Sequence, residues 1–340
     1  MKFVIQDNLD DTRILNFILE DERASIYHHP AWLKAISSAL NFQPKYFLIF
    51  NGETLTGLIP FTLIKDTFYS LPFTTHCDPI IPENITLKQV VGEINRLVPG
   101  IQKVRMKFRE CEHLLLDGLD TINNYYNHVV YLDDDLEKVY NSLGRRSIRR
   151  FINKSYSNNL KIRFGDSEND LRIFYSLECK LRKSLGLPPA PFKFFLCLWN
   201  NLFNKNLLML PIIEKDSLPI ASSVILRFRN KLYFEYTAID KKYIDLYPNH
   251  FLHWEVIKKN HSEFGVRIVD LGRTDKNQTG LIFFKENWNA QRIKLLEYNK
   301  NSNKNLKHSK LFNTFRIINK HLPIGLLKVE GKILFNHFDC

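Results

Sequence analysis

The sequence predicts an α/β protein made of two α/β domains that repeat one unit. Three observations carry this. The chain has 340 residues, enough for about two domains at ~150 residues each. A β-meander pattern occurs twice, once in each half. Amphipathic helical segments bracket both meanders.

The elements follow in order. Residues 29 to 40, H-P-A-W-L-K-A-I-S-S-A-L, read as a helix. Pro30 suits its first turn, and Trp32, Ile36 and Leu40 fall on one face. Tyr46 to Phe50 and Leu55 to Ile64 are apolar runs separated by Asn51-Gly52. Lys65-Asp66 makes a turn, and Phe68 to Leu71 pairs back. Leu87 to Leu97 is helical. Asp134 to Asn158 reads as one or two helices, Asp170 to Leu185 as another, and Pro191 to Phe203 as the next. Leu207 to Ile213, Ile220 to Phe228 and Leu232 to Tyr236 form the second meander. The pattern of E-T-L-T-G-L-I-P-F-T-L-I-K-D-T-F-Y-S-L matches D-S-L-P-I-A-S-S-V-I-L-R-F-R-N-K-L-Y-F, which points to a weak duplication. His250 to Phe264 is helical, with Asn249 as its N-cap. Residues 299 to 310 are polar and low in complexity and read as a linker. The tail from Leu311 to Phe338 regains amphipathic character and docks on the body.

Composition bounds the function. A 44% hydrophobic and 13% aromatic content supports real cores and excludes a wholly disordered chain. The net charge of +12 attracts polyanions such as nucleic acid, nucleotide diphosphates or acidic lipid head groups. A Lys- and Asn-rich chain that is merely soluble is the competing reading. The five cysteines, Cys77, Cys111, Cys179, Cys197 and Cys340, are odd in number and form no C-x-x-C. This argues for a reducing compartment. The N-terminus turns acidic after five residues, unlike a signal peptide, and no apolar run of ~18 residues exists. The expectation is a cytoplasmic protein, with peripheral contact at the inner membrane face. His28-His29, His76 beside Cys77 and His113 near Cys111 lack the paired spacing of a zinc site, so no metal is expected.

Three stretches suit chemistry. From Ile268 to Ala290 an apolar run breaks at Gly272, and a polar turn holds Arg273, Asp275, Lys276 and Asn277. A second apolar run after Gly280 ends on Lys285, read as a strand-edge lysine. A cation there, beside Phe283, Phe284 and Trp288, suits an anionic group in a partly dry pocket. A snorkelling surface lysine is the plainer alternative. In L-G-R-R-S-I-R-R-F-I-N-K, Arg146, Arg150 and Lys154 fall at i, i+4, i+8, with Arg145 and Arg149 beside them. Several guanidinium forks on one face suit phosphate, and a solvated helix face is the alternative. In L-Y-F-E-Y-T-A-I-D, strand alternation puts Tyr233, Glu235 and Thr237 on one side and Phe234 and Tyr236 on the other. Asp240 suits orienting an amine or removing its proton, or capping the next turn. No P-loop, dinucleotide fingerprint or nucleophile elbow occurs.

These residues, in this order over about 260 positions, resemble the FemAB-like acyl/aminoacyltransferases of the GNAT-fold superfamily, in the branch associated with exopolysaccharide or cellulose biosynthesis. The resemblance is carried by Y-H-H-P-A-W-L-K, G-L-I-P-F, S-L-P-F-T-T-H-C-D-P, R-R-S-I-R-R-F-I-N-K, L-R-K-S-L-G-L-P, L-Y-F-E-Y-T-A-I-D, P-N-H-F-L-H-W-E-V-I-K and D-L-G-R-T-D…G-L-I-F-F-K-E-N-W-N-A. It implies two tandem GNAT-like domains, each a mixed sheet flanked by helices, at 1–143 and 144–298, with a linker and docking tail at 299–340. It implies amide formation by acyl or aminoacyl transfer to an amine of a cell-envelope glycan or lipid-linked precursor. Phe284 and Lys285 match the family's catalytic aromatic-lysine pair of its last strand. Lys34 and Arg182 match its phosphate-binding positions, with Tyr236 as a further contact. Arg273, Asp240, Arg146 and Arg150 complete the expected substrate contacts. The general base is left unassigned, with Asp275 and Asp240 as candidates and the substrate's own phosphate as the alternative. No cofactor is expected to stay bound. The donor is acyl-CoA or a charged tRNA, although the usual pyrophosphate loop of acyl-CoA enzymes is not visible. The chain lacks the long coiled-coil insertion of the bridge-forming enzymes, so a tRNA-dependent peptidoglycan-precursor role is the second reading. A non-catalytic anion- or RNA-binding subunit of a polysaccharide assembly system is the third.

Overall fold

The computed structural model describes residues 1–110, 114, 120–300 and 310–335. Cys111, His113, Cys340 and residues 301–309 of the expected linker lie outside the described residues.

The first half runs β1 (Lys2–Gln6), α1 (Thr12–Glu20), α2 (Pro30–Leu40), β2 (Lys45–Asn51), β3 (Thr54–Ile64), β4 (Thr67–Tyr69), α3 (Leu87–Leu97), β5 (Lys103–Arg109) and β6 (Thr121–Tyr131). α4 (Leu136–Ser142), a π-helical turn (Arg145–Arg149) and α5 (Arg150–Ser157) then join the halves. The second half repeats the order with β7 (Lys161–Phe164), α6 (Glu168–Leu185), α7 (Phe192–Leu202), β8 (Leu208–Met209), β9 (Pro211–Lys215), β10 (Leu218–Phe228) and β11 (Lys231–Ile239). A 3-10 stretch (Lys241–Leu246), α8 (Pro248–Phe264), β12 (Ile268–Asp275), α9 (Thr279–Asn287) and β13 (Gln291–Lys300) complete it. α10 (Lys310–His321) and α11 (Ile324–Phe335) follow. Arg316 of α10 donates to the Leu185 carbonyl at 3.2 Å, and Leu327 of α11 is buried.

One sheet carries both halves in the order β1-β2-β3-β4-β5-β13-β6-β12-β11-β10-β9-β7. Read inward from its two edges, the order is the same for each half until the last strand. There the halves trade: β13 pairs with β5, and β6 pairs with β12. β13 and β6 pair with each other at the centre. The neighbours are antiparallel except β4 with β5 and β11 with β12, again one pair per half. The expected duplication thus appears in the element order and in the placement of the parallel pairs.

The two parallel pairs end differently. Past Tyr69, residues 70 to 78 continue along β5: Ser70 N–H donates to Arg105 O at 2.9 Å, and Cys77 N–H to Lys107 O at 2.9 Å. Arg109 N–H donates to Asp78 Oδ1 at 2.7 Å. This seals the first pair. The register of β11 with β12 stops at Tyr233↔Asp270, and both strands bulge there. Bulges break a ladder and re-aim side chains, so only the second pair stays open.

Several sequence expectations change in detail. The strand predicted to break at Gly272 runs on to Asp275, because Gly272 takes φ +75° and absorbs the bulge. The run ending on Lys285 is helical, not a strand edge. Ile282 and Lys285 are buried while Phe283 is 65% exposed, a spacing of three rather than two. α8 starts at Pro248, since proline suits the first helical position, so Asn249 lies inside the helix rather than capping it. The bulge at Glu235 breaks the predicted alternation. Tyr236 packs with Tyr233 in one core and Phe234 in the other. Residues 299, 300 and 310, expected in a linker, end β13 and begin α10.

Candidate active site

The open strand pair is lined by charges that apolar strands would not tolerate without purpose. On β12, Asp270 is buried, and its carboxylate pins the bulge. Oδ1 accepts the Gly272 N–H at 2.7 Å and Oδ2 accepts Asn127 Nδ2 at 2.8 Å. Asn127 comes from β6, the strand lent by the other half. The Gly272 carbonyl thereby turns toward α9, where the Lys285 ammonium donates to it at 2.9 Å and to the Arg273 carbonyl at 3.3 Å.

Lys285 is only 7% exposed. Burial lowers its pKa to about 8, with Asp270 favouring the charged form and Arg273 opposing it. A charge in such surroundings is not stabilised by water and responds strongly to any nearby anion. Its helix is held by Trp288, fully buried beside His253, and by Phe284, whose ring meets His250 edge-on at 5.4 Å. Burial holds His253 neutral, with a pKa lowered to about 3.

On β11 the bulged residue is Glu235. Its Oε1 accepts the Tyr27 hydroxyl proton. Burial raises its pKa to about 7; Tyr27 opposes the rise, Asp270 adds to it and Arg273 opposes it. Tyr27 is fixed by edge contacts to Trp32, His76 and Tyr233 at 5.4–5.5 Å. A cavity of about 160 Å³ adjoins this cluster, lined by Arg109, Val129, Tyr131, Lys231, Tyr233, Ile268 and Asp270. Arg109 in turn bonds Asp78 at 2.7 Å and holds that carboxylate down at about pKa 2 despite its burial.

Glu235 keeps its proton to about pH 7 when folded and releases it near the ordinary carboxylate value of 4.5 when unfolded. The folded state binds more protons between those values, so stability falls as pH rises through that window. Glu235→Gln should therefore melt level with the parent near pH 4 and higher at pH 8, by about 3 kcal/mol of stability. Thermal melts at the two pH values check this. An equal difference at both would contradict it.

The structure gathers only part of the expected set. Lys285 and the Arg273 backbone meet at the bulge, and Phe284 supports the helix from the side. The Arg273 side chain is exposed and lies 4.6 Å over the Tyr125 ring. Asp275 forms a turn at the strand end, accepting the Asn277 N–H at 2.9 Å. Asp240 caps the 3-10 stretch and pairs with Lys180 at 2.9 Å. Lys34, on α2, pairs with Asp10, which precedes α1. Arg182 donates to the Pro188 carbonyl at 3.3 Å. The Tyr236 ring packs against Phe194 and Phe195. Arg146 and Arg150 line a separate groove. Among the described residues no hydrogen bond or ion pair joins Lys34, Arg182, Asp240 or the groove arginines to Lys285. Sequence reasoning passed over Asp270, Asn127 and Tyr27, and gave Glu235 no chemical role. The available signal was a carboxylate inside an apolar or aromatic run, I-V-D-L and L-Y-F-E-Y.

Residues 142–285 match the acetyltransferase (GNAT) domain family, and the whole chain has a FemAB-like fold of two tandem GNAT-like domains. The crystal structure of FemX superposes with a TM-score of 0.68 at 12% identity, covering 88% of this chain and 97% of that one. The structure of L-PGS from Bacillus licheniformis gives 0.57 at 13% identity, covering 93% and 98%. A tandem GNAT protein from the clavulanic acid biosynthesis pathway gives 0.52 at 8% identity, covering 89% and 99%. No curated protein sequence matches the chain. The acetyltransferase-domain match over residues 142–285 supports acyl transfer in general. Among the described residues there is no cluster of metal-binding side chains and no helix long and apolar enough to cross a membrane.

Proposed function

We propose that the protein is an N-acyltransferase that forms an amide between a donor acyl or aminoacyl group and an amine of a cell-envelope glycan or lipid-linked precursor. One observation carries the reading: a buried lysine and a partly buried carboxylate, Lys285 and Glu235, meet the same opened pair of parallel strands, each with its pKa moved toward neutrality. Such pairs of shifted groups in a cleft favour catalysis over structure.

In this reading the amine nitrogen attacks the carbonyl carbon of an ester or thioester. Its proton passes to Glu235, the base that sequence reasoning left unassigned. Negative charge grows on the carbonyl oxygen, and the Lys285 ammonium stabilises it. The intermediate collapses, the leaving oxygen or sulfur departs, and the amide remains. Phe284 walls the lysine. Asp275 and the Arg273 side chain lie at the outer end of β12, suited to the substrate's polar portion. Lys34 and Arg182, both partly exposed, suit an acceptor phosphate, with Tyr236 and Asp240 as further candidate contacts. We place the protein at the inner membrane face, where a lipid-linked acceptor is reached. The name of a further structural neighbour, a putative lysylphosphatidylglycerol synthetase C-terminal domain at TM-score 0.54, supports an envelope-lipid acceptor.

Mass spectrometry of amine-bearing glycan and lipid acceptors, incubated with acyl-CoA pools or with charged tRNA, tests the reading. Incorporation from one donor class is the expected result. No product from either would overturn the transferase reading and favour an anion-binding subunit.

A further inference from the structure

A second feature is independent of the buried cluster. The π-helical turn and α5 present Arg145, Arg146, Arg149, Arg150 and Lys154 around an open groove of about 670 Å³, floored by Tyr140 and Asn153. The floor is fixed, since the Tyr140 hydroxyl donates to Asn153 Oδ1 at 2.9 Å. No acidic residue lines the groove. Among the described residues Arg145, Arg146, Arg150 and Lys154 form no ion pair. Arg149 gives one bond, to Asn141 at 3.1 Å, and its Nε is buried without a partner. Arg150 and Lys154 stand about 6 Å apart along the helix axis. Five like charges held together without a counterion repel one another, and an anion with several negative groups relieves that repulsion.

The groove is also joined to the helix that carries Lys285. Gly144 N–H donates to the Asn287 carbonyl at 2.9 Å, and the Ser147 hydroxyl donates to Asn287 Oδ1 at 2.6 Å. The two segments are so close that a Cβ on Gly144 would lie 2.6 Å from Asn287 Oδ1. Asn287 ends α9, two residues after Lys285. Phosphates seated in the groove are thus registered against the buried ammonium through short hydrogen bonds.

We propose that this groove seats the ribonucleotide phosphates of the acyl donor. The assignment of the ligand as donor rests on the transferase reading; the groove's preference for phosphate does not. Coenzyme A and an RNA strand share this chemistry, and a binding experiment separates them without turnover. A labelled RNA hairpin and coenzyme A are titrated against the intact protein at several salt concentrations. The same is done with R146Q/R150Q, and with Lys332→Gln as a control on exposed charge elsewhere. At least one ligand should bind the parent. R146Q/R150Q should weaken it by at least ~10-fold, and the slope of log K against log salt should shrink by about 0.7 for each phosphate that is no longer neutralised. Lys332→Gln should bind as the parent does. RNA alone, coenzyme A alone, or both with this pattern supports the groove and names the source. Absence of binding to either, or equal binding by R146Q/R150Q and parent with unchanged melting, overturns it. Phosphate binding without amide formation would leave the groove standing and remove the transferase reading instead.

Discussion

Lys285→Met should lower turnover by at least ~100-fold and leave the fold intact. Lys285 is buried, so in the proposed mechanism its charge would act on the reacting oxygen with little water between. Removing one donor to a developing oxyanion typically costs about 3 kcal/mol of barrier, which is a factor of about 100 or more in rate. Methionine matches the length of the side chain, fills the slot under the bulge and removes only the charge and its bonds to the Gly272 and Arg273 carbonyls. Circular dichroism and melting would report the fold; single-turnover kinetics would report the chemistry. Activity within a few-fold of the parent would remove Lys285 from the mechanism.

Glu235→Gln should cost ~100- to 10,000-fold in turnover, the range for a lost general base. It should also change the shape of the pH profile, which a merely structural residue would not do. The base works when ionised, and its pKa stands at about 7, so the rate of the parent rises through that value. The lysine works when charged, and its pKa stands at about 8, so the rate falls above it. The parent should therefore show a narrow bell between these two limbs. Glu235→Gln should lose the acid limb and keep the alkaline one, and Lys285→Met the reverse. An acid limb unchanged in Glu235→Gln would assign it to another group.

Much of the fold was legible because its signals are local. Periodicity located α3 to the residue and α2 to within one residue at its start, and the paired meanders gave the duplication. The strands left unassigned, β1, β5, β6, β7 and β13, share one property: none is joined to a partner by a tight turn. β5 reads K-V-R-M-K-F-R and alternates cleanly, yet its neighbour β13 lies nearly 190 residues on. The site was legible only where a charge ended an apolar run. Lys285 stood out for that reason, although its helix was misread as a strand because L-I-F-F gives no period by itself. Glu235 and Asp270 owe their shape to bulges, and a bulge depends on the pairing of two strands. Nothing in Y-F-E-Y tells that Glu235 is the extra residue opposite β10. Tyr27 reaches Glu235 across 208 positions, a pairing invisible to any window.

The exchange of last strands has a consequence for how this molecule could have arisen and how it can be handled. Each repeat is incomplete as written in the chain and becomes whole only with a piece of its sibling. The carboxylate that shapes the β12 bulge is steadied by Asn127, an amide encoded in the opposite half. Cutting the gene at the midpoint would not yield two small proteins but two open sheets, each with a bare central edge seeking the other. The repeat with the sealed strand pair is therefore bound into the one with the open pair by shared architecture.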